Sequence, residues 1–135
     1  MSKARSISFI RYQAPAIIWA ALIYTASSVP SGRLGWWLLH RVDKLIHLGI
    51  FYILGLLVYR ALHGGSGPSV FSYKRIILML FIVIGYGLTD EMHQWSTPGR
   101  QFDVKDLLAD AAGGMLAALT MIFQDRLARR RSHRA

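Results

Sequence analysis

The chain contains no cysteine, and this absence removes two classes of structure. A protein of 135 residues without cysteine forms no disulfide and holds no metal ion through thiolates. Acidic residues are also scarce, because seven aspartates and glutamates stand against sixteen lysines and arginines. A formal charge of +9 is typical of proteins that bind nucleic acid. With 53% hydrophobic residues, however, the basic residues are better interpreted as topology signals of a membrane protein, and no nucleic-acid partner is predicted.

Four apolar blocks, each about twenty residues long, predict four membrane-spanning helices. They run from about residue 10 to 28, 43 to 62, 74 to 94 and 103 to 123. At a rise of about 1.5 Å per residue, each block covers about 30 Å, which matches the hydrocarbon core of a bilayer. No internal repeat divides the chain. The sequence therefore predicts an all-α, polytopic membrane protein, a single four-helix transmembrane domain over residues 1–135.

The first block is preceded by a basic segment and ends in small residues, as a signal peptide would. Lys3, Arg5 and Arg11 precede the block, and residues 26–28 could be mistaken for a cleavage site. An uncleaved first span is the better interpretation, because the basic segment is long and cleavage would spoil the charge balance of the loops. No mitochondrial or lipidation signal stands out.

The distribution of charge predicts the orientation of the bundle. Eleven basic residues fall on the side that holds both termini and five on the other side, so the positive-inside rule places both termini in the cytoplasm. The basic tail, residues 126–135, is expected to bind anionic lipid headgroups. Six of the seven acids fall at the opposite, external end: Asp43, Asp90, Glu91, Asp103, Asp106 and Asp110.

The fourth block carries three of these acids on one stripe. At helical spacing Asp103, Asp106 and Asp110 lie above the small residues of 113–117, which let another helix approach closely. The stripe is therefore expected to face the bundle interior, with its aspartates reaching a depth of about 10 Å. Acids in the first turn also complement the helix dipole, and Asp103 fits a plain N-cap.

The second block begins with Asp43 and His47, which are four residues apart and so share one face. An aspartate beside a histidine can fix the imidazole tautomer and raise its basicity. Lys44 and Arg41 lie at the same mouth and can neutralise nearby acids.

The third block ends in a polar face and a turn. Tyr86, Asp90, His93 and Gln94 share that face, whereas Glu91 lies about 100° away and is expected to meet the loop. In the turn, Arg100 offers a planar guanidinium that suits phosphate or carboxylate.

Ionisable groups at a membrane boundary are costly, so this set marks a candidate site for which three chemistries remain open. Imidazole and carboxylate ligands suit zinc or manganese. A carboxylate beside an imidazole suits acid–base catalysis. Basic side chains suit a phosphate. The metal candidates are His47, His93, Asp90 and Asp110, and the phosphate candidates are Arg41, Lys44, Arg100 and Lys105. No metal or other cofactor is assigned from the sequence.

A structural role is the competing interpretation. Asp43, His47, Asp90 and Asp110 also fit an interhelical network of hydrogen bonds and ion pairs that fixes packing. His93, taken alone, fits an interfacial position better than a ligand position.

The motifs, taken in order, resemble the VanZ-like family of membrane proteins. They are residues 43–47 with Phe51, residues 86–94, residues 98–100, and the aspartates of 103–110 with Gly114. The resemblance is clearest from residue 43 to 117. It implies a small multi-pass protein of the bacterial inner membrane, in a family whose founding member is associated with low-level resistance to teicoplanin. It indicates a context, the cell envelope, rather than a reaction.

We predict a polar pocket at the external face that binds a lipid-linked or anionic envelope component. The predicted binding residues are Asp43, Lys44, Gln94, Arg100, Asp103, Asp106 and Asp110. The alternative is a membrane hydrolase or transferase acting on a phosphorylated lipid, with Asp90 or Glu91 as the base and His47 as the proton shuttle. A proton- or ion-coupled transporter is the weaker third hypothesis. The oligomeric state stays open.

Overall fold

The computed structural model describes residues 3–29, 36–64 and 71–132, with the side chains of 3–6, 36–41 and 132 left out. These residues form helices and no strand, as predicted. The helices are α1 (Lys3–Tyr12), α2 (Ala14–Ser27), α3 (Trp36–His63), α4 (Tyr73–Trp95) and α5 (Val104–Ser132). The side chains of Lys3, Arg5 and Arg41, for which the sequence made predictions, lie outside the described set.

Three of the four predicted spans are confirmed as helices long and apolar enough to cross a membrane. They are Val42–His63, Tyr73–Trp95 and Val104–Arg131. Their outward faces carry large apolar side chains, such as Leu45, Phe81 and Leu108, each more than 60% exposed. An exposed apolar surface of this kind suits lipid rather than water.

The helices extend beyond two of the predicted boundaries. α3 begins at Trp36, seven residues before the predicted start, and α5 continues to Ser132, through most of the basic tail. Leu and Arg, which are strong helix formers, occur in both extensions, and neither extension contains Gly or Pro, so the helices have no local reason to stop where the apolar blocks do.

The first predicted span differs from the structure, because a break at Gln13 divides it into α1 and α2. Pro15 stands at the start of α2, where it has no N–H to donate and its ring clashes with the preceding helical turn. The backbone N–H groups of Ala16 and Ile17 both bond to the Gln13 carbonyl, at 3.1 and 3.2 Å. At 14 residues, α2 alone is about 21 Å long and shorter than a bilayer span.

α3 and α5 run parallel and approach each other at glycines. A Cβ atom added to Gly113 would lie 2.4 Å from the carbonyl oxygen of Leu48. One added to Gly55 would lie 2.7 Å from the Cβ of Ala117. The predicted packing role of the small residues on α5 is thereby confirmed, since any side chain at these points would push the two backbones apart.

α4 packs antiparallel against this pair, and α2 closes the other side. Phe51, Met79 and Val83 are fully buried where α3, α4 and α5 meet. The indole of Trp19 on α2 donates a hydrogen bond of 2.9 Å to the carbonyl of Ile50 on α3. Since α2 and α4 end where α3 and α5 begin, four helix termini come together.

Two ends of the bundle can therefore be named. The acidic end holds Asp43, Asp90, Glu91, Asp103, Asp106 and Asp110. The basic end holds Arg11, Arg60, Lys74, Arg75, Arg126, Arg129, Arg130 and Arg131.

Candidate functional site

His47 and Asp110 form a buried pair at the acidic end. The Nδ1 atom of His47 lies 2.8 Å from Oδ1 of Asp110, and the two residues are 5% and 0% exposed. The close approach at Gly113, three residues further along α5, brings their helices near enough for this contact. The expectation that Asp43 would orient His47 is corrected, because the partner of Nδ1 is Asp110.

Glu91 joins this pair from α4 and is fully buried. Its Oε2 atom accepts a 3.0 Å hydrogen bond from the backbone N–H of Asp103, which confirms the predicted contact with the loop. One nitrogen or oxygen atom of each of His47, Glu91 and Asp110 lies within 4.8 Å of the others. We call these three residues the buried triad.

Two oxygen atoms of the buried triad have no hydrogen-bond partner among the described residues. They are Oε1 of Glu91 and Oδ2 of Asp110. Gly87, one turn before Glu91 on α4, makes room for the second of these oxygens, because a Cβ there would lie 3.0 Å from it. Buried polar atoms are nearly always paired in folded proteins, so both oxygens call for an explanation.

Lys44 lies above the triad and binds two aspartates of α5. Its Nζ donates to Asp103 Oδ2 at 2.7 Å and also bonds to Asp106. Asp103 is in addition the N-cap expected from the sequence, since its Oδ1 accepts the backbone N–H of Lys105 at 2.8 Å. The bond from the Lys44 ammonium, together with that from Lys105, lowers the pKa of the Asp103 carboxyl below its ordinary value of 3.8.

Asp90 belongs to a second network, which joins α4 to α2. Its Oδ1 accepts the hydroxyl of Ser27 at 2.6 Å, and its Oδ2 accepts the side-chain amide of Gln94 at 2.9 Å. Gln94 in turn accepts a 2.7 Å hydrogen bond from Nη1 of Arg100. Both oxygens of Asp90 are thus occupied, one by a contact between α2 and α4 and the other by a contact within α4, whereas Glu91 lies beside His47.

His93 lies at the edge of the bundle and not with the buried triad. Its Nε2 is 2.8 Å from the hydroxyl of Ser28, and its ring stacks on Tyr24 with centroids 4.2 Å apart. The four metal candidates considered in the sequence are therefore not brought together as a set. His47 and Asp110 do lie together, but Glu91 and not Asp90 or His93 lies beside them.

The contribution of α2 to this end of the bundle was not predicted from the sequence. Ser27 and Ser28 lie in the segment that resembles a cleavage site, and together with Tyr24 they contact the polar end of α4. The useful signal was their position, because small hydroxyl residues that end an apolar block come to lie beside the polar ends of neighbouring spans.

Two overlapping groups could hold a metal ion. One is the buried triad, and the other consists of Asp43, His47 and Asp106, whose ligand atoms also lie within 4.8 Å of one another. Lys44 already neutralises Asp106 in the second group, whereas no lysine or arginine among the described residues forms an ion pair with the acids of the first.

A comparison against known families identifies the family of the chain. The family model described as VanZ/LLP1 matches residues 4–125. Searches of the curated proteins and of the solved structures returned no match. Since the family match spans nearly the whole chain and three helices are long and apolar enough to cross a bilayer, this multi-pass membrane protein belongs to the VanZ/LLP1 family.

Proposed function

We propose that this protein lies in the bacterial inner membrane with both termini in the cytoplasm, and that its acidic end binds a lipid-linked or anionic component of the cell envelope. The observation that carries the proposal is the setting of two basic side chains, Lys44 and Arg100, at the edge of this end. Each is held from within by acceptors of the bundle, Lys44 by Asp103 and Asp106, and Arg100 by Gln94.

These two side chains have donors to spare. An ammonium group has three N–H donors and a guanidinium has five. The acids use two donors of Lys44, and Gln94 uses one of Arg100. The Lys44 side chain is 39% exposed, so its head can reach a ligand. Because the carboxylates largely neutralise Lys44, we expect Arg100 to supply most of the attraction for a phosphate.

A lipid-linked ligand also suits the surroundings of the site. The helices that carry it expose apolar side chains along their length, so a polyprenyl or acyl chain can lie against them while its headgroup meets Arg100. Held in this way on the outer face, an envelope precursor would be less accessible to glycopeptides such as teicoplanin. The proposed role in teicoplanin resistance follows from that reduced access.

Binding is tested with purified protein in lipid nanodiscs and a polyprenyl phosphate as the probe, by native mass spectrometry. Arg100→Gln removes the charge and is expected to weaken binding by about 10- to 100-fold, as loss of a charge-assisted hydrogen bond does. Arg130→Gln, which removes one charge from the basic tail, measures the non-specific attraction for an anionic lipid and should weaken binding much less than Arg100→Gln does. Equal affinity in the two variants would refute the proposed anion site.

The orientation is tested by single-cysteine labelling, for which a chain without cysteine is ideal. Ser96→Cys places an exposed thiol at the acidic end, and Ala128→Cys places one at the basic end. In intact spheroplasts a membrane-impermeant maleimide should label only the first. Labelling of only the second would invert the proposed topology.

A second candidate function is a membrane hydrolase or transferase that acts on a phosphorylated lipid. The buried triad favours it, because an imidazole oriented by Asp110 with Glu91 beside it has the parts of a general acid–base system. Phosphate release from a polyprenyl pyrophosphate in nanodiscs is the assay. For an enzyme, Glu91→Gln should lower kcat and leave probe affinity unchanged, whereas a pure binding protein releases no phosphate at all.

A further inference from the structure

The buried triad contains more negative charge than its described neighbours balance. Glu91 and Asp110 are both 0% exposed, and among the described residues the ion pair found for either of them is that of Asp110 with His47. Lys44 is committed to Asp103 and Asp106. Even with a protonated imidazole, two carboxylates leave one negative charge over, and a buried charge is costly unless it is paired.

The hydrogen bonds of the two carboxylates also leave room for a further binding partner. One oxygen of Glu91 is held by the Asp103 backbone N–H and one oxygen of Asp110 by the His47 ring. The second oxygen of each is buried and has no partner among the described residues. A cation bound between the two carboxylates would give both orphaned oxygens a partner and would also balance the charge.

We propose that His47, Glu91 and Asp110 bind a divalent transition metal ion, Zn²⁺ or Mn²⁺. Ligand atoms around an ion with bonds of about 2.1 Å lie roughly 3.0–3.4 Å apart, depending on coordination number. The triad has its ligand atoms within 4.8 Å and the His47–Asp110 contact at 2.8 Å, so small side-chain rotations complete the site. A neutral imidazole, two carboxylates and a dication sum to zero charge, which removes the imbalance.

Three protein ligands leave at least one coordination position open. In zinc and manganese sites such a position is filled by water or by an oxygen of a bound ligand. The proposed metal site therefore goes beyond the proposed anion site at Arg100, and it stands or falls independently of it.

The second candidate group, Asp43, His47 and Asp106, offers a route by which an ion can reach the buried triad. Asp43 is half-buried and Asp106 is 5% exposed, and both lie within 4.8 Å of His47, the residue that the two groups share. An ion can thus pass from carboxylate to carboxylate towards the buried triad. Since Lys44 competes for Asp106, the ion is expected to settle at the triad rather than at this outer group.

The test uses tag-free protein in nanodiscs, stripped with a chelator, equilibrated with Zn²⁺ or Mn²⁺ at micromolar concentration, and freed of unbound ion. Metal content is measured by inductively coupled plasma mass spectrometry. The proposal predicts one ion per chain, and a rise in Tm on loading because the ion binds only the folded state. If folded protein holds less than a tenth of an equivalent of either metal, the metal-site proposal is overturned. The excess negative charge of Glu91 and Asp110 would then be neutralised by a proton.

Variants locate the ion. Glu91→Gln and Asp110→Asn keep side-chain shape and should each weaken metal binding by at least tenfold and abolish the rise in Tm. His93→Ala is the matched control, because His93 contacts Ser28 and Tyr24, and it should keep a full equivalent. Circular dichroism checks that each variant is folded. Metal retained in both folded carboxylate variants would overturn the assignment of the site. Co²⁺ loading provides a second readout, since an absorption band that disappears in Glu91→Gln supports the same ligand set.

Discussion

The acidic and basic ends of the bundle use charge in opposite ways. At the acidic end, the charged and polar side chains contact one another across helices, as in His47–Asp110 between α3 and α5. At the basic end, the Arg60 guanidinium bonds to the backbone carbonyl of Arg11 at 3.1 Å and lies over the ring of Tyr12. The side-chain ion pair found there, Asp125 with Arg129, lies within a single helix, and the contact of Arg75 with His63 between α4 and α3 involves no acid.

This difference separates charges that organise the interior from charges that face the surroundings. A buried ion pair is maintained by geometry between helices, and removal of one partner leaves the other uncompensated. An exposed arginine near the end of a span keeps its hydration and acts through orientation and lipid headgroups. A binding or catalytic site is therefore expected at the acidic end, where the protein holds costly groups in fixed positions.

The substitution expected to have the largest effect removes the contact on which the acidic end depends. In Gly113→Leu the new side chain would meet the backbone of α3, since even a Cβ lies 2.4 Å from the Leu48 carbonyl oxygen and 2.8 Å from the Tyr52 nitrogen. Overpacking against backbone should cost about 3 kcal/mol or more and separate His47 from Asp110. Thermal unfolding in detergent measures it. Gly85→Ala, where a Cβ meets nothing within 4 Å, is the control and should unfold as the unaltered protein does.

A matched pair of acid substitutions compares the two ends directly. Asp110→Ala leaves a buried imidazole without its partner and should cost about 3–5 kcal/mol. Asp125→Ala breaks the exposed pair with Arg129 at the basic end and should cost at most about 0.5 kcal/mol. Urea unfolding of both variants supplies the numbers. Similar losses in the two would show that burial does not distinguish the ends.

A smaller effect is expected where α2 meets α4. Ser27→Ala removes a hydroxyl that donates to buried Asp90, so one carboxylate oxygen loses its partner, at a cost of about 1–3 kcal/mol. Ser28→Ala changes the neighbouring exposed serine, which bonds to His93, and should cost less than about 1 kcal/mol. Unfolding free energies of the two variants are the measurement. A larger loss in Ser28→Ala would contradict the assignment of Asp90 to the interior.

The smallest predicted effect concerns pH at the edge of the acidic end. Because Lys44 lowers the pKa of Asp103 in the folded state, their pairing stabilises the protein above about pH 4. That contribution is lost as the pH falls from the ordinary value of 3.8 towards the lowered pKa. Both side chains are about 40% exposed, so the gain is only about 0.2–1 kcal/mol.

Asp103→Asn isolates this contribution, since asparagine keeps the N-cap and removes the charge. The free energy of unfolding of the variant should fall less than that of the unaltered protein between pH 6 and pH 3. Lys105→Ala, which keeps the backbone N–H that bonds to Asp103, should retain most of the pH dependence. An unchanged pH dependence in Asp103→Asn would count against the ion pair.

Much of the fold could be predicted because the bilayer restricts it. A helix must be about twenty apolar residues long to span the hydrocarbon core, so the lengths of the apolar blocks predict α3, α4 and most of α5. Pro15 predicts the break at Gln13, because a proline interrupts the backbone hydrogen bonds of any helix. The length of the apolar block does not reveal this break.

The candidate site was only partly predictable. Helical spacing placed Asp103, Asp106 and Asp110 on one inward stripe, and burial of the last two agrees with that. Spacing within a helix says nothing about rotation between helices, however. For this reason the sequence pairs His47 with Asp43 rather than Asp110, and it leaves open whether Asp90 or Glu91 lies beside the imidazole.

The sequence by itself determined an all-helical chain with apolar spans, and it determined that six acids gather at one end, because length, hydropathy and charge are local properties. Only the tertiary structure decided which acid meets which base. That choice depends on the depth and rotation at which two helices touch, and Gly113 against Leu48 sets both for α3 and α5. A shift of one residue there would give His47 another neighbour and leave Asp110 without one.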